Sequence, residues 1–271
     1  MNKSTKVVIL AAGKGSRIGS TLPKVLLPVG KVPMVLRLLD SVRNSEVDTK
    51  PIMVIGHGCE AVRDMVGSDA IFVLQEKQLG TGHALSTARE AVSGASNIVV
   101  LYGDHPFVSS NAISDVVSLR EQTGAPIAMM TTIVPDWHDW RFVFRCWGRI
   151  LRDQNNKIVG IREWKDANDK EKEIKELNPG LYCFESGWLW KNIDGLECNN
   201  AQNEYYITDL VSMAVGQGHK IQSLFLPPEH SVGVNTKEEL EIAERICSGL
   251  EKTKVKNGHS FEGDAPFPYI L

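Results

Sequence analysis

The chain reads as an α/β fold, a mainly parallel sheet with helices on both faces. Three observations carry that reading. Short β-rich apolar runs alternate with helical patterns through the first half, the form taken by successive β-α-β units. The first run empties straight into a glycine-rich turn, Leu10-Ala11-Ala12-Gly13-Lys14-Gly15-Ser16-Arg17. A later run, Asn97–Tyr102, ends just as abruptly in Gly103-Asp104. In open sheets of this kind, ligands sit at the carboxyl ends of the strands, where such turns gather.

Taken in order, the predicted strands of the first half are Lys6–Ala11, Pro51–Ile55, Ala70–Leu74, Asn97–Tyr102 and Pro126–Val134. The helices between them are Pro33–Asn44, Glu60–Val66, Thr81–Val92 and Ser109–Gln122. Pro33 suits a first helical turn, where its missing N–H costs nothing. Ser109 or Ser110 suits the cap of the fourth helix. The β-α-β order implies right-handed crossovers. The second half is less regular. Gly148–Asp153 and Lys157–Glu163 predict a hairpin across Gln154-Asn155-Asn156. A charged helix follows over Lys165–Lys175, then a strand over Leu177–Phe184, a helix over Glu204–Gly216, a strand over Lys220–Leu226 and a last helix over Glu238–Glu251. Residues 1–252 are expected to form one domain of two halves, 1–134 and 135–252. Residues 253–271 are expected to be a C-terminal tail.

The chain has 271 residues, of which 42% are apolar and 23% charged, enough for a sizeable core in a single α/β domain. Net charge is −3 with both signs interleaved, so neither nucleic acid nor an anionic membrane is expected as a partner. No apolar run approaches the ~20 residues of a membrane span, and no signal peptide precedes the first strand, which points to a cytoplasmic protein. The five cysteines form no C-x-x-C pair, giving a reduced compartment and no zinc site as the expectation. Cys183 reads as a core residue.

Glycines in the first turn let backbone N–H groups converge on an anion. Arg17 and Lys24, the latter in Leu22-Pro23-Lys24, add countercharge. The turn is neither a Walker A sequence nor a three-glycine dinucleotide turn. Asp104 reads either as a turn cap or as a hard oxygen ligand suited to Mg²⁺ beside phosphates. Gln75 carries a donor and an acceptor side by side, matching one edge of uracil, and reads equally as a surface glutamine. Thr81 alone reads as a helix N-cap. His83, at the start of a predicted helix, and His105, beside Pro106, read as structural.

These motifs arrive with others in a fixed order: Gln78-Leu79-Gly80-Thr81-Gly82-His83, Gly148-Arg149-Ile150, Glu163, Asn178-Pro179-Gly180, Glu204-Tyr205-Tyr206-Ile207-Thr208-Asp209 and Gly233-Val234-Asn235. Over about residues 6–245 the chain resembles the nucleoside-diphosphate-sugar pyrophosphorylases, and within them the uridyltransferase domain of the bifunctional N-acetylglucosamine-1-phosphate uridyltransferases. The resemblance implies a Rossmann-like, mixed but mainly parallel sheet. It implies Mg²⁺-dependent transfer of UMP from UTP to a sugar-1-phosphate, with N-acetylglucosamine-1-phosphate foremost and glucose-1-phosphate or another nucleotide as the alternative. Residues 1–134 are then the nucleotide-binding half, in which Leu10, Ala11, Ala12, Gly13, Gly15, Gln75, Gly80, Thr81, Tyr102 and Gly103 hold the nucleotide, and 135–252 the sugar-binding half. Gly148, Glu163, Asn178, Tyr206 and Thr208 hold the sugar, Asp104 and Asn235 the metal, and Arg17 and Lys24 act on the phosphates. A non-catalytic nucleotide-sugar sensor is the rival from another class. No hexapeptide repeats are present, so acetyl transfer is not expected, and a monomer or small homo-oligomer is.

Three departures from the family pattern stand out. Pro135–Trp147 is long, aromatic and arginine-rich, and reads as a lid or a subunit contact. Pro179 follows the asparagine where a hydroxyl residue often stands, and Asn203 replaces a glycine that often precedes Glu-Tyr-Tyr.

Overall fold

The computed structural model describes residues 4–257 apart from Lys14 and His57. The expected tail lies mostly outside that range. From the N-terminus, β1 (Thr5–Leu10) is followed by a small hairpin of β2 (Pro28–Val29) and β3 (Val32–Pro33). Its turn residues, Gly30 and Lys31, both have positive φ, 58° and 68°, the geometry that matches strand twist. Then come α1 (Met34–Asn44), β4 (Ile52–Ile55), α2 (Glu60–Val66), β5 (Ile71–Leu74), α3 (Thr81–Thr87), β6 (Asn97–Tyr102), α4 (Ser110–Thr123) and β7 (Ile127–Ile133). The second half adds β8 (Arg149–Arg152), β9 (Ile158–Arg162), α5 (Asp169–Lys172), β10 (Glu176–Leu177), β11 (Tyr182–Glu185), α6 (Ser186–Asn192), α7 (Asp209–Gly216), β12 (Gln222–Phe225), α8 (Pro228–Ser231) and α9 (Lys237–Asn257).

The sheet runs β5-β4-β1-β6-β11-β7, continues through β10-β8-β9, and carries β12 on β7. β1 pairs in parallel with β4 and β6, β4 with β5, and β7 with β12. β11 is antiparallel to both β6 and β7, so β6 and β7 point the same way with a reversed strand wedged between them. The sheet is therefore mixed and mainly parallel. The chain leaves β1 outward to β4 and β5, then returns across the sheet to β6. Strand order reverses between β1 and β6, and the turns after these two strands diverge to leave a crevice.

Alternation along the strands splits the core into two layers. Val7, Ile9, Val99 and Leu101 face one side, with α1, α2 and α4 packed on them. Val8, Ile98 and Val100 face the other, under α3, α6 and α7. A third cluster joins Phe144 and Val143 to Ile242 and Ala243 of α9. The segment read as a lid or subunit contact holds a 3-10 helix, Asp139–Cys146, that packs on the domain through Val143 and the fully buried Phe144 and leaves Phe142, Arg145 and Cys146 exposed. No helix among the described residues is long and apolar enough to cross a membrane.

Several elements differ from expectation. Pro33 precedes α1 as its cap. Ser109 does cap α4 as expected, accepting from the Ala112 N–H. The predicted helix Thr81–Val92 is α3 plus a separate 3-10 turn at Glu90–Val92, and that over Lys165–Lys175 is only the four residues of α5, closed by an Asn168/Glu171 capping box. The predicted strand Leu177–Phe184 is two strands, broken where Gly180 turns at φ 75°. Residues 204–208 stay outside α7 because Tyr205 bonds instead to Leu79 and Gly82 of the distant α3 region. α9 is longer than the predicted Glu238–Glu251.

Candidate active site

At the reversal point the turn after β1 is tied to both neighbouring strands. Ala11 N–H donates to Val54 and Gly103 N–H to Leu10, at 2.8 and 2.9 Å. The Gln78 amide donates to the Ala12 carbonyl. Gly15 has φ 62°, and a Cβ there would fall 2.7 Å from Lys24 Cβ, so a side chain at this position is excluded both by backbone conformation and by space. Pro23 then leads into a 3-10 turn, Lys24–Leu26, whose Val25 and Leu26 are buried. That anchoring sends Lys24 inward.

The Lys24 ammonium lies between two oxygens, donating to Asp104 Oδ2 and, at 2.8 Å, to Asn235 Oδ1. Asp104 follows β6 and also meets His105 Nδ1 at 2.8 Å. Burial pushes its carboxyl up, but Lys24 and then His105 more than offset this and hold it well below the usual carboxylate range. Asn235 is brought here by two devices. Val234 N–H donates to the Asp104 carbonyl at 3.0 Å. A capping box at the start of α9 fixes the next residues: Glu239 accepts from the Asn235 and Thr236 amides, and Thr236 Oγ1 accepts from Glu239 N–H.

A cavity of about 500 Å³ opens above these groups. One wall carries Gln75 and the start of α3. The Gln75 side chain is buried, its amide nitrogen donating to the Gly80 carbonyl and meeting His83 Nδ1 at 2.9 Å, so its oxygen is the end left for a ligand. Thr81 does not cap α3; the cap is Gly80. The Thr81 hydroxyl instead accepts from Ile207 N–H at 3.0 Å, joining the nucleotide-side wall to the loop that carries Tyr206 and Thr208.

The opposite wall holds Gly148, Glu163, Asn178 and Tyr206. Asn178 accepts from the Tyr182 hydroxyl at 2.8 Å and from Gly180 N–H at 3.1 Å, which fixes its rotamer. Glu163 accepts from Thr208 Oγ1 at 3.1 Å. Burial raises its pKa, as do the nearby Asp209, Asp166 and Glu204, against the lowering effect of the Thr208 bond. Burial also pushes the Tyr206 hydroxyl up to about 12.

Leu10, Ala11, Ala12, Gly13, Arg17, Lys24, Gln75, Gly80, Thr81, Tyr102, Asp104 and Asn235 therefore share one cavity with the four second-half residues. Gly15, Gly103 and Thr208 stand one layer behind, against Lys24, Ala11 and Glu163 respectively. The cavity also takes in residues not expected there: Gln78, His105, Cys146, Trp147, Gln202 and Glu204. Trp147 had a legible signal, since it stands beside Gly148, and so did Gln78, which opens the motif Gln78-Leu79-Gly80-Thr81. Cys146 and Gln202 had none.

Comparison with known proteins gives the family and the fold. Residues 7–168 match the MobA-like NTP transferase domain. The chain is 36% identical over 258 residues to the bifunctional protein GlmU of Brevibacillus brevis, covering 94% of this chain and 53% of that protein. Against GlmU of Desulfotalea psychrophila it is 39% identical over 241 residues, covering 88% and 69%. It spans about half the length of most of these curated relatives. In fold it is similar to a UDP-glucose pyrophosphorylase solved with UDP-glucose, with a TM-score of 0.71 at 18% identity, covering 92% and 99% of the two chains. A Bacillus anthracis chain provisionally named a glucose-1-phosphate thymidylyltransferase gives a TM-score of 0.72 at 23% identity, covering 90% and 95%. With the family match spanning more than half of the chain and the cavity at its switch point, the chain belongs to the MobA-like NTP transferase family and is a nucleotidyltransferase.

Proposed function

We propose that this enzyme transfers UMP from UTP to a sugar-1-phosphate, N-acetylglucosamine-1-phosphate in the leading case, and releases pyrophosphate. The observation that carries the reading is the Lys24 ammonium held between Asp104 and Asn235 at the seam of the two walls. A glycine turn with Arg17 lies on one side of it, and a neutral-to-acidic polar pocket lies on the other.

The two oxygens that converge on one ammonium form a donor set that suits Mg²⁺, which takes one or two protein oxygens and completes its shell with water and phosphate. Asp104 and Asn235 are the residues that would hold it. When bound, the ion neutralises phosphate charge and helps align the reactants. The chain's own groups do the rest. Turn amides from Ala12 to Gly15 and the Arg17 side chain hold the triphosphate and the departing pyrophosphate. Lys24 faces the α-phosphate and the incoming sugar phosphate. The Gln75 oxygen and the α3 N-terminal turn read the base, while Glu163, Asn178, Tyr206 and the Gly148 backbone take the sugar. A sugar-phosphate oxygen attacks the α-phosphorus in line, a new P–O bond forms, and the bond to the β-phosphate oxygen breaks. Catalysis by positioning and charge stabilisation is the general logic of such transfers.

The named structural neighbours favour a second reading of the same site, with glucose-1-phosphate as acceptor. Pyrophosphate release with Mg²⁺ and UTP against a panel of sugar-1-phosphates, with EDTA as control, separates them. Metal-dependent release with N-acetylglucosamine-1-phosphate is expected. Release with glucose-1-phosphate alone replaces the acceptor, and silence with every sugar phosphate removes the reading.

A further inference from the structure

Arg149 begins β8 one residue beyond the cavity wall. It is 0% exposed, yet among the described residues no carboxylate pairs with it. Its guanidinium donates instead to three main-chain carbonyls: Arg145 at 2.7 Å, Trp147 at 2.6 Å and Lys172 at 3.2 and 3.3 Å. The rings of Trp137 and Trp164 lie 5.0 and 4.8 Å from its central carbon. Lys175 lies over Trp137 at 3.9 Å and Lys172 over Trp164 at 5.3 Å. Cations and indoles thus alternate through this wall, and π faces and main-chain carbonyls offset the charge, with a lesser contribution from the Glu173 carboxylate beyond ion-pair distance. Burial pulls the Arg149 pKa down to about 10, which leaves it charged at neutral pH.

The consequence falls on Gly148. A trans peptide unit holds its C=O and N–H on opposite sides, and the described residues include no cis peptide. Drawing the Trp147 carbonyl onto Arg149 therefore turns the Gly148 N–H the other way. Gly148 lines the cavity. Its carbonyl is taken by Asn178 N–H at 3.0 Å, while its own N–H finds no protein acceptor among the described residues. A Cβ on Gly148 would stand 3.1 Å from Ile161 and 3.4 Å from Glu163 Oε1, so main chain is what this position offers a ligand. Trp164, stacked on the same guanidinium, directly follows Glu163.

We infer that Arg149 is a positioning residue for the sugar phosphate: it sets the Trp147–Gly148 peptide so that the Gly148 N–H is presented to the ligand beside Glu163. The inference rests on the acceptor being a sugar phosphate that enters this half of the cavity. Lysine keeps the charge but lacks the planar fork that serves several carbonyls while stacking.

The test uses the full chain carrying R149K or R149M, with W164L as a second route should R149M fail to fold. Pyrophosphate release is measured with UTP and the sugar-1-phosphate varied separately, alongside the Tm of each variant. R149K is expected to raise the sugar-phosphate KM about tenfold, the loss that goes with one misplaced hydrogen bond. Its UTP KM stays within about twofold, and W164L moves the same KM in the same direction. An intact enzyme that turns over while R149K leaves the sugar-phosphate KM unchanged, or raises both KM values together, overturns the Arg149 assignment alone. Silence of the intact enzyme with every sugar phosphate removes the functional reading and this assignment with it.

Discussion

Replacing Glu163 by glutamine pulls stability and activity in opposite directions. The Glu163 side chain is half-buried in the cavity wall, pairs with no cation among the described residues, and accepts one hydroxyl bond, from Thr208. Burial first, then Asp209, Asp166 and Glu204, raise its pKa above the ordinary 4.5. A raised acid binds its proton more tightly in the folded state. Stability therefore falls as pH rises from the ordinary value through the folded one, and stays lower above it. Glutamine removes the charge and keeps an oxygen for Thr208. At neutral pH the E163Q variant gains about 0.5–2 kcal/mol, the range commonly reached by a single stabilising substitution. For a chain of this size that corresponds to a Tm rise of roughly 1–8 °C. The gain fades below about pH 4.5, where both states of the parent are protonated. Activity moves the other way. A sugar hydroxyl loses a charged acceptor worth about 1.5–3 kcal/mol, which lowers kcat/KM for the sugar phosphate about 10- to 150-fold and leaves the UTP KM near its parent value. Thermal melts across pH and initial rates with each substrate varied provide the check. A variant that melts at or below the parent temperature at neutral pH and keeps its full kcat/KM refutes the placement of this carboxylate.

Other substitutions probe the remaining parts. D104A removes the partner of Lys24 and one of the two oxygens offered to the metal; turnover drops about 10²–10³-fold, as for loss of one preorganised stabilising group, read by pyrophosphate release at saturating substrates. G180A forces a side chain into φ 75° with its Cβ 2.2 Å from the Tyr102 ring, and urea unfolding shows a loss of about 2–5 kcal/mol from strain and overpacking. F144A empties a fully buried site at a cost of about 3–5 kcal/mol. Because Phe144 stacks edge-on against Trp147 at 4.7 Å, the sugar-phosphate KM rises in the same variant. EDTA is expected to abolish pyrophosphate release and added Mg²⁺ to restore it; full release in EDTA refutes the metal assignment of Asp104 and Asn235.

The first half of the fold was legible because its signals are local. β1, β4, β5, β6 and β7 are short apolar runs bounded by turns, and their limits fall within a residue or two of those read from sequence. The second half was less legible because distant contacts override local preference there. Residues 204–208 have a helical pattern, yet Tyr205 N–H donates to Leu79 and its carbonyl accepts from Gly82 N–H, both at 2.8 Å. Those bonds replace the helical ones the same groups would otherwise make. Likewise Leu177–Phe184 has the composition of one strand, but Tyr102 lies so close to Gly180 that the chain must turn, and β11 enters between β6 and β7 in the reverse direction.

The site divides along the same line. Residue types that follow strand ends are visible in the sequence, so the glycine turn, Gln75 and Asp104 converge as expected. The partner that a cation takes is not visible, because charge compensation depends on approach in three dimensions. Lys24 reads as a phosphate ligand, yet its ammonium is held by oxygens 80 and 211 residues away. Arg149 reads as one cation in a three-residue motif. Only the folded wall shows it among indoles from residues 137 and 164 and carbonyls from residues 145, 147 and 172. Indole faces and carbonyl dipoles compensate the buried cation there, a setting that no local pattern around Gly148-Arg149-Ile150 specifies, because each partner is delivered by a different part of the fold.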